Sequence, residues 1–342
     1  MKWLLRTLVT LMLALFALAA YALSTARYAD QRVGFQVRQT ADRDGRIINI
    51  GIWYPTTDLA RPTSLLGAQL LSVAPDGEVK GERLPVVVLS HGNGGGLASH
   101  ADLAMDLASA GYVAAAVMHP GDNHFDQRAA GAASLFSDRA RHLRLALDYL
   151  LGAWPDHSRL DAERIGAFGF SAGGTTVMTL LGAQPDFDLL PAHCTTTPEF
   201  ICQVLEQVHS PLRQGSSPAV GEFVADARIR AAVLATPGLG FAFNPTSLQS
   251  VVAPVQLWSG NADQHVPAAS NALRIRDQLP DLVELHEVTD ARHVSFLAPC
   301  GLLKPAALCD DAPGFDRDAF HSDMNAKVLA FFNTTLDFRN AQ

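Results

Sequence analysis

A single serine lies among closely spaced glycines in the segment GAFGFSAGG, residues 166–174. Glycines occur two positions before and two positions after Ser171, and an apolar run precedes them. Because glycine is costly inside regular structure, a local backbone requirement must explain this spacing. A strand that turns sharply into a helix through G-x-S-x-G exposes its serine hydroxyl at the helix N-terminus, where negative charge is favoured. We therefore predict that Ser171 is a nucleophile; a plain tight turn is the alternative.

A serine hydroxyl is a poor nucleophile at neutral pH, so it needs a base to take its proton. Twelve histidines compete for that role. His293 lies in TDARHVSFL, just after the last predicted strand, where a loop tip can reach Ser171. His286 lies inside that strand and His321 begins the last predicted helix, so we expect structural roles for both. We predict His293 as the base.

The base in turn needs an acid that orients it. Asp263 lies in PVQLWSGNADQHVP, where a predicted strand ends and a loop begins. The active sites of parallel sheets gather at the carboxyl ends of the strands. Asp290 is the rival, but it is too near His293 along the same loop for an easy approach. We predict Asp263 as the acid.

A glycine-rich stretch, LSHGNGGG at residues 89–96, follows an earlier predicted strand. Acyl transfer needs two backbone N–H groups for the oxyanion that forms on the substrate. One is expected from Ala172, the residue after the nucleophile, and the other from a loop after an early strand. The glycines allow close approach to a substrate, and position favours Asn93 as the donor. A phosphate cradle is the alternative, but the Lys and Ser/Thr of a P-loop are absent here.

The elements around these residues alternate between strand and helix. The strand LPVVVLS is wholly apolar, as in a parallel sheet that is covered on both faces. Repeated alternation predicts an α/β fold, with a mostly parallel central sheet and helices on both faces. VGFQV and IINIGIWYP flank the turn DRDG and predict an antiparallel start, hence a mixed sheet. The predicted strands are residues 33–37, 47–55, 84–90, 112–120, 164–170, 229–237, 254–260 and 283–290, and the predicted helices are 99–111 (capped by Ser99), 138–153, 172–183 and about 319–335.

A long insertion at about residues 184–225 interrupts this alternation. Insertions of this length are usually functional rather than plain loops. We predict that it forms a cap over the site; a surface decoration is the alternative. Apolar side chains of such a cap would line the acyl side of the pocket. The candidates for substrate binding are Phe187, Leu189, Phe200 and Ile201.

The N-terminal segment differs from the rest of the chain. Two basic residues precede an apolar run from Leu8 to about Leu23, and the tripeptide AYA at 20–22 fits a cleavage site of small residues. This pattern predicts a secretory signal peptide over residues 1–26, export to the periplasm or the exterior, and a folded domain at 27–342. The apolar run is slightly short for a spanning helix, and an uncleaved membrane anchor is the alternative.

The four cysteines form two pairs that are close in sequence, Cys194 with Cys202 and Cys300 with Cys309. An even count in an exported chain indicates disulfides, and we predict these two. The second would brace the loop that carries His293. Four free thiols in a cytosolic protein are the alternative. A zinc site at the first pair and its neighbouring histidines would match no common zinc spacing, so we predict no metal.

The composition excludes some classes of protein. The 342 residues are 48% hydrophobic and 18% charged, which is typical of a globular protein and not of a disordered one. The net charge of -8 argues against a nucleic-acid partner, because phosphate binding needs a basic face.

Several segments together resemble one family. The chain is similar to the dienelactone-hydrolase-like and platelet-activating-factor-acetylhydrolase-like group of α/β-hydrolases. The segments that carry this resemblance are IGIWYP near the start, the stretch from LSHGNGGG to HPGDN, GFSAGG, SGNADQHVP and RHVSF. The resemblance spans about residues 33–335. It implies an α/β-hydrolase fold and a serine hydrolase that acts on carboxylic esters without a cofactor. The residues that it assigns to the triad and the oxyanion hole are Ser171, Asp263, His293, Asn93 and Ala172.

Two features depart from the family pattern. Dienelactone hydrolases use a cysteine nucleophile where this chain has Ser171, and the acetylhydrolases place their acid after the preceding strand, where this chain has Thr236. We expect a small-molecule ester substrate with a short or medium acyl group, lipid-like or polyester-like, and an association with a membrane or lipid surface fits that class. The alternatives are a peptidase or amidase with the same triad, and a non-catalytic binding module, which would lack a triad member.

Overall fold

The computed structural model describes residues 2–24, 26–65, 69–214, 223–279, 281–301 and 305–336. Three predicted regions therefore lie partly outside the described residues: the leader at residues 1 and 25, the cap at 215–222, and the end of the folded domain at 337–342.

The N-terminal helix, α1 (Lys2–Ser24), exposes its apolar side chains. Its segment Trp3–Tyr21 has a mean hydropathy of 2.0 and is long and apolar enough to cross a membrane, a test that signal sequences also pass. This helix is longer than the apolar run identified in the sequence. It begins at Lys2, six residues before the start of that run. The chain enters the folded domain at Ala26, which is buried.

A sheet of ten strands forms the centre of the described part of the chain. The strands are β1 (Val33–Ala41), β2 (Ile47–Pro55), β3 (Arg61–Leu65), β4 (Gln69–Pro75), β5 (Leu84–Ser90), β6 (Val113–Met118), β7 (Leu160–Phe170), β8 (Ile229–Ala235), β9 (Val255–Gly260) and β10 (Val283–Val288). Their order is β10-β9-β8-β7-β5-β6-β2-β1-β4-β3. The six strands from β10 to β6 are parallel neighbours, and β2 joins them antiparallel. The mixed, mostly parallel sheet predicted from the sequence is confirmed.

Helices cover both faces of this sheet. They are α2 (Ala101–Ser109), α3 (Ala133–Gly152), α4 (Ala172–Leu180), α5 (Leu190–Thr196), α6 (Phe200–Gln207), α7 (Ala272–Gln278) and α8 (Arg317–Leu336). Successive residues of a strand point to opposite faces, so Val86 of β5 packs in one core cluster and Val87 in the other. The first cluster includes side chains of α3, α4 and α7, and the second includes side chains of α2 and α8.

Three details differ from the sequence-based expectation. β3 and β4 form a hairpin that the sequence did not predict, and α3 begins at Ala133, five residues before the predicted start. Ser99 does not cap α2, which begins at Ala101 after His100. The Ser99 hydroxyl instead accepts a hydrogen bond from the N–H of Gly96 at 3.0 Å, so it closes a turn in the glycine-rich loop.

The segment between α4 and β8, residues 184–225, is termed the cap segment below. Its helices α5 and α6 are joined by the disulfide Cys194–Cys202, with Cα atoms 5.4 Å apart. Phe187 packs on Phe136 of α3, with ring centroids 4.9 Å apart. The cap segment is thereby fixed both internally and to the rest of the domain.

Five parallel strands end at the edge of the sheet that faces this segment. Parallel strands place their carboxyl ends along one edge, where ligands bind in open α/β sheets. The residues that follow these strand ends are Asn93 after β5, Ser171 after β7, Thr236 after β8, Asp263 after β9 and His293 after β10.

Candidate active site

The backbone at Ser171 turns abruptly from β7 into α4. Ser171 has φ 53° and ψ −120°, a strained conformation for a residue other than glycine. A Cβ atom on Gly169 would lie 2.2 Å from the carbonyl oxygen of Gly173, and one on Gly173 would lie 2.0 Å from that of Ser90. The two glycines are therefore required by the close approach of neighbouring backbone, as the sequence pattern indicated.

A chain of two hydrogen bonds joins the three residues predicted as a triad. Nε2 of His293 lies 3.0 Å from Oγ of Ser171, and Nδ1 of His293 lies 2.7 Å from Oδ2 of Asp263. Because the carboxylate can only accept, Nδ1 carries the proton and Nε2 presents a lone pair to the serine hydroxyl. This arrangement can take a proton from Ser171.

The carboxylate of Asp263 is buried and accepts further hydrogen bonds. Oδ1 accepts from the backbone N–H groups of His265 at 2.9 Å and Val266 at 2.8 Å. Burial by itself raises the pKa of Asp263, but its interactions with His293 and its other hydrogen bonds outweigh burial and lower the pKa below its usual value. Asp263 is therefore ionised at neutral pH.

Thr236 is part of this cluster and was not predicted as a functional residue. Its hydroxyl donates to Oδ2 of Asp263 at 2.7 Å and lies 3.1 Å from Nδ1 of His293. Thr236 is buried and has φ 39°, which is a strained conformation for a β-branched residue. Its position directly after β8, beside the strand that carries Ser171, is the signal that could have identified it.

The two residues predicted to supply the oxyanion-hole amides line the same cavity as Ser171. Asn93 and Ala172 both line this cavity, and neither amide donates a hydrogen bond to any other described residue. The side chain of Asn93 points elsewhere, because Nδ2 donates to Oδ1 of Asp122 at 2.8 Å. The two amides are thus available to a ligand.

The cap segment contributes only part of the predicted set of side chains to the lining of this cavity. Phe200 and Ile201 line it together with Glu199, whereas Phe187 and Leu189 do not. Phe187 is buried within the cluster at Phe136, and Leu189 is 38% exposed on the surface. The cavity encloses about 60 Å³ of free space, enough for a few water molecules.

His265 is a further cavity residue that the sequence did not identify. Its ring lies edge-on to Phe200 and to His293, with centroids 5.5 and 5.6 Å apart. Burial, and after it the neighbouring His293, lower the pKa of His265, so it is neutral at neutral pH. A neutral imidazole at this position can donate a hydrogen bond to a ligand or accept one from it.

The loop that carries His293 is bound to the C-terminal part of the domain. Ser295 donates to Oδ1 of Asp311 at 2.6 Å, and Arg317 donates to both carboxylate oxygens of Asp311 at 2.9 Å. The disulfide Cys300–Cys309 lies beyond this loop, with Cα atoms 6.0 Å apart. Among the described residues, no cluster of His, Cys, Asp and Glu side chains is arranged to hold a metal ion.

Comparison with known proteins supports the resemblance found in the sequence. Residues 63–142 match the family model of platelet-activating factor acetylhydrolase, isoform II. The fold is similar to that of a ferulic acid esterase from Streptomyces cinnamoneus, with a TM-score of 0.63, 20% sequence identity and 92% of each chain covered. No curated protein sequence matches this chain. The predicted α/β-hydrolase fold is confirmed, and the matched region includes the glycine-rich loop but ends before Ser171.

Proposed function

We propose that this protein hydrolyses carboxylic esters through an acyl-enzyme on Ser171. The matching family and the similar structure indicate a carboxylic ester hydrolase. The observation that carries the proposal is the hydrogen-bonded chain from Asp263 through His293 to Ser171, at 2.7 and 3.0 Å. Asn93 and Ala172 line the cavity with Ser171 and their amides donate to no other described residue, which supports the same chemistry.

In the proposed mechanism, His293 takes the proton of Ser171 as the serine oxygen attacks the ester carbonyl. The ionised Asp263 stabilises the imidazolium that forms. The N–H groups of Asn93 and Ala172 donate to the oxyanion of the tetrahedral intermediate. His293 then gives its proton to the leaving alcohol, and a water molecule activated by the same histidine hydrolyses the acyl-enzyme.

The cavity favours a substrate with a small apolar group. Its lining is mostly apolar and includes Phe136, Leu239, Phe200 and Ile201. About 60 Å³ of free space suits a short acyl group. We propose short acyl esters first and medium, lipid-like or polyester-like esters second. A peptidase or amidase with the same triad remains the second candidate, since the same chain of hydrogen bonds serves both reactions.

We also propose that the protein is exported or held at a membrane. The apolar segment Trp3–Tyr21 suits a signal peptide or an anchor, and the disulfides Cys194–Cys202 and Cys300–Cys309 suit an oxidising compartment. Mass spectrometry of the non-reduced exported protein tests this proposal. The N-terminal peptide shows whether the apolar segment is cleaved, and two disulfide-linked peptides show whether the cysteines are oxidised.

The activity is tested with p-nitrophenyl esters of graded acyl length beside aminopeptidase substrates. We expect ester hydrolysis that is fastest for short acyl groups, and labelling by a fluorophosphonate probe at Ser171. Ser171→Ala should abolish labelling and lower kcat by about 10⁴-fold or more. Ser134→Ala, on the exposed side of α3, is the matched control. Wild-type turnover of esters by Ser171→Ala contradicts the proposal, and faster cleavage of amides than of esters favours the second candidate.

A further inference from the structure

A single buried arginine, Arg139, contacts both segments that carry the predicted oxyanion amides. Arg139 lies on α3, and its side chain is 1% exposed. Its ion-pair partner, Asp122, is also 1% exposed and lies in the loop after β6. Both residues line the cavity at Ser171 from below. A charge buried this deeply is stable only with well-placed hydrogen-bond and ion-pair partners.

The first set of contacts leads to the glycine-rich loop. Nη1 of Arg139 donates to Oδ2 of Asp122. The other oxygen of Asp122 accepts from Nδ2 of Asn93 and from the backbone N–H of Gly94, both at 2.8 Å. Nη2 of Arg139 donates to the backbone oxygen of His91. The loop is therefore held on both sides of Asn93, which fixes the direction of the Asn93 amide.

The second set of contacts leads to the first turn of α4. Nε of Arg139 donates to the hydroxyl of Thr176 at 3.0 Å. That hydroxyl donates in turn to the backbone oxygen of Ala172 at 2.8 Å. Nη2 also donates to Oγ of Ser90 at 3.2 Å, at the end of β5. One guanidinium thus connects peptide units that directly adjoin those of both predicted oxyanion donors.

We propose that Arg139 is a positioning residue that sets the spacing between the amides of Asn93 and Ala172. The inference rests on the proposed function, because that spacing matters only if an oxyanion forms between the two amides. The planar guanidinium directs its N–H groups in fixed directions, toward Thr176 on one side and Asp122 on the other. A lysine at this position would keep the charge but could not make both sets of contacts.

The test compares Arg139→Lys with the wild type, with activity expressed per active site titrated by a fluorophosphonate probe. An oxyanion donor acts in the transition state, so we expect kcat to fall about 10- to 100-fold while KM changes by less than about threefold. Affinity for a trifluoromethyl ketone, which forms a tetrahedral adduct on the serine, should fall by the same factor as kcat. Arg141→Lys is the matched control, because Arg141 lies on the same helix in an ion pair near the surface with Asp138.

A purely structural role for Arg139 would lower the yield and the stability but leave kcat per titrated site unchanged. A kcat within twofold of the wild type therefore overturns the inference. If Arg139→Lys does not fold, Asp122→Asn is measured in the same way, since it keeps the shape while weakening the link to the loop of Asn93. A wild-type protein that hydrolyses no ester contradicts the proposed function instead, so the two failures are distinguishable.

Discussion

Two buried histidine–aspartate pairs in this molecule share one contact and differ in everything around it. Nδ1 of the histidine lies 2.7 Å from Oδ2 of the aspartate in both pairs, His293 with Asp263 and His321 with Asp102. The side chain of His293 is 12% exposed at the cavity, whereas that of His321 is fully buried between α8 and α2. The first pair lies at strand ends and the second joins two helices.

The partner of the second ring nitrogen separates the two pairs chemically. Nε2 of His293 faces the hydroxyl of Ser171, which has a proton to give. Nε2 of His321 lies 2.9 Å from the backbone oxygen of Ser295, which can only accept. Both nitrogens of His321 are therefore occupied by acceptors, so the ring presents no free lone pair to a reacting hydroxyl. Burial alone raises the pKa of Asp102, but the charge of His321 lowers it well below its usual range.

The comparison shows that a histidine–aspartate contact is not by itself a catalytic signature. The carboxylate fixes which nitrogen of the ring carries a proton in both pairs. Whether the ring can act as a base or serves only the structure depends on the partner of the other nitrogen. The bond from His321 to Ser295 also ties the structural pair to the loop that carries His293.

The largest change in kcat is expected for Asp263, the carboxylate of the pair that faces Ser171. Asp263→Asn should lower kcat by about 10⁴-fold, because the asparagine amide favours the wrong tautomer of His293. Stability should change little by comparison, and urea denaturation measures it beside the ester assay. Asp290→Asn is the control for the rival acid. A severe loss of kcat in Asp290→Asn with a mild effect in Asp263→Asn would reverse the assignment.

Removing the other carboxylate should give the opposite pattern. Asp102→Asn removes the buried carboxylate that pairs with His321 and accepts from Asn325, so we expect a loss of about 3–5 kcal/mol in the free energy of unfolding. At temperatures where the variant is folded, kcat per titrated active site should stay within about threefold of the wild type. Urea denaturation and active-site titration measure the two quantities. A large loss of kcat with unchanged stability would place this pair in the catalytic machinery.

Other buried histidines should respond to acid because they are neutral. Burial and the charge of Arg139 lower the pKa of His91 to about 3, and burial lowers that of His142 to about 4. Their unfolded forms take up protons below about pH 6.5, so stability is complete above that pH and falls as the pH decreases. At pH 5 the loss is about 2 kcal/mol for each of the two histidines.

Chemical denaturation at several pH values measures this loss. His142→Gln should reduce the mean slope of stability against pH between pH 6.5 and 5 by about 1 kcal/mol per pH unit. His157→Gln, on the surface, leaves the buried cluster intact and serves as the control. A slope that is the same in His142→Gln and in the wild type would mean that His142 is not neutral in the folded protein.

The strands and the candidate residues at their carboxyl ends could be predicted from the sequence because short, local sequence patterns identify them. The glycines around Ser171 report the close approach of neighbouring backbone, and wholly apolar strands report burial on both faces. The family resemblance adds the order of the three triad residues along the chain. These signals do not depend on which distant segments meet.

The contacts that brace the site were missed because they join distant segments. Arg139 meets Asp122 and Thr176, which lie 17 and 37 residues away. A signal was present nonetheless, since Arg139 occupies the buried face of α3 between Leu135 and Leu143 at helical spacing. A charged residue on an apolar face is a candidate for a buried network. The cap segment gave no such signal, and composition could not separate Phe200, which lines the cavity, from Phe187, which does not.

The smallest change in kcat is expected from substitution of Thr236. In the structural pair, the corresponding hydrogen-bond donor to the carboxylate is Asn325. Oδ2 of Asp263 accepts from the Thr236 hydroxyl at 2.7 Å, and Oδ2 of Asp102 accepts from Nδ2 of Asn325 at 3.0 Å. Thr236→Val keeps the branched shape in the strained backbone and removes one hydrogen bond to the carboxylate. We expect kcat to fall about 10-fold, since such a bond is worth about 1.5–3 kcal/mol and only part of it acts on the transition state. Thr236→Ser restores the hydroxyl and should recover kcat to within about threefold of the wild type in the same ester assay. Equal kcat in the valine and serine variants would show that the hydroxyl does not orient Asp263, and that the strained backbone at this position serves packing alone.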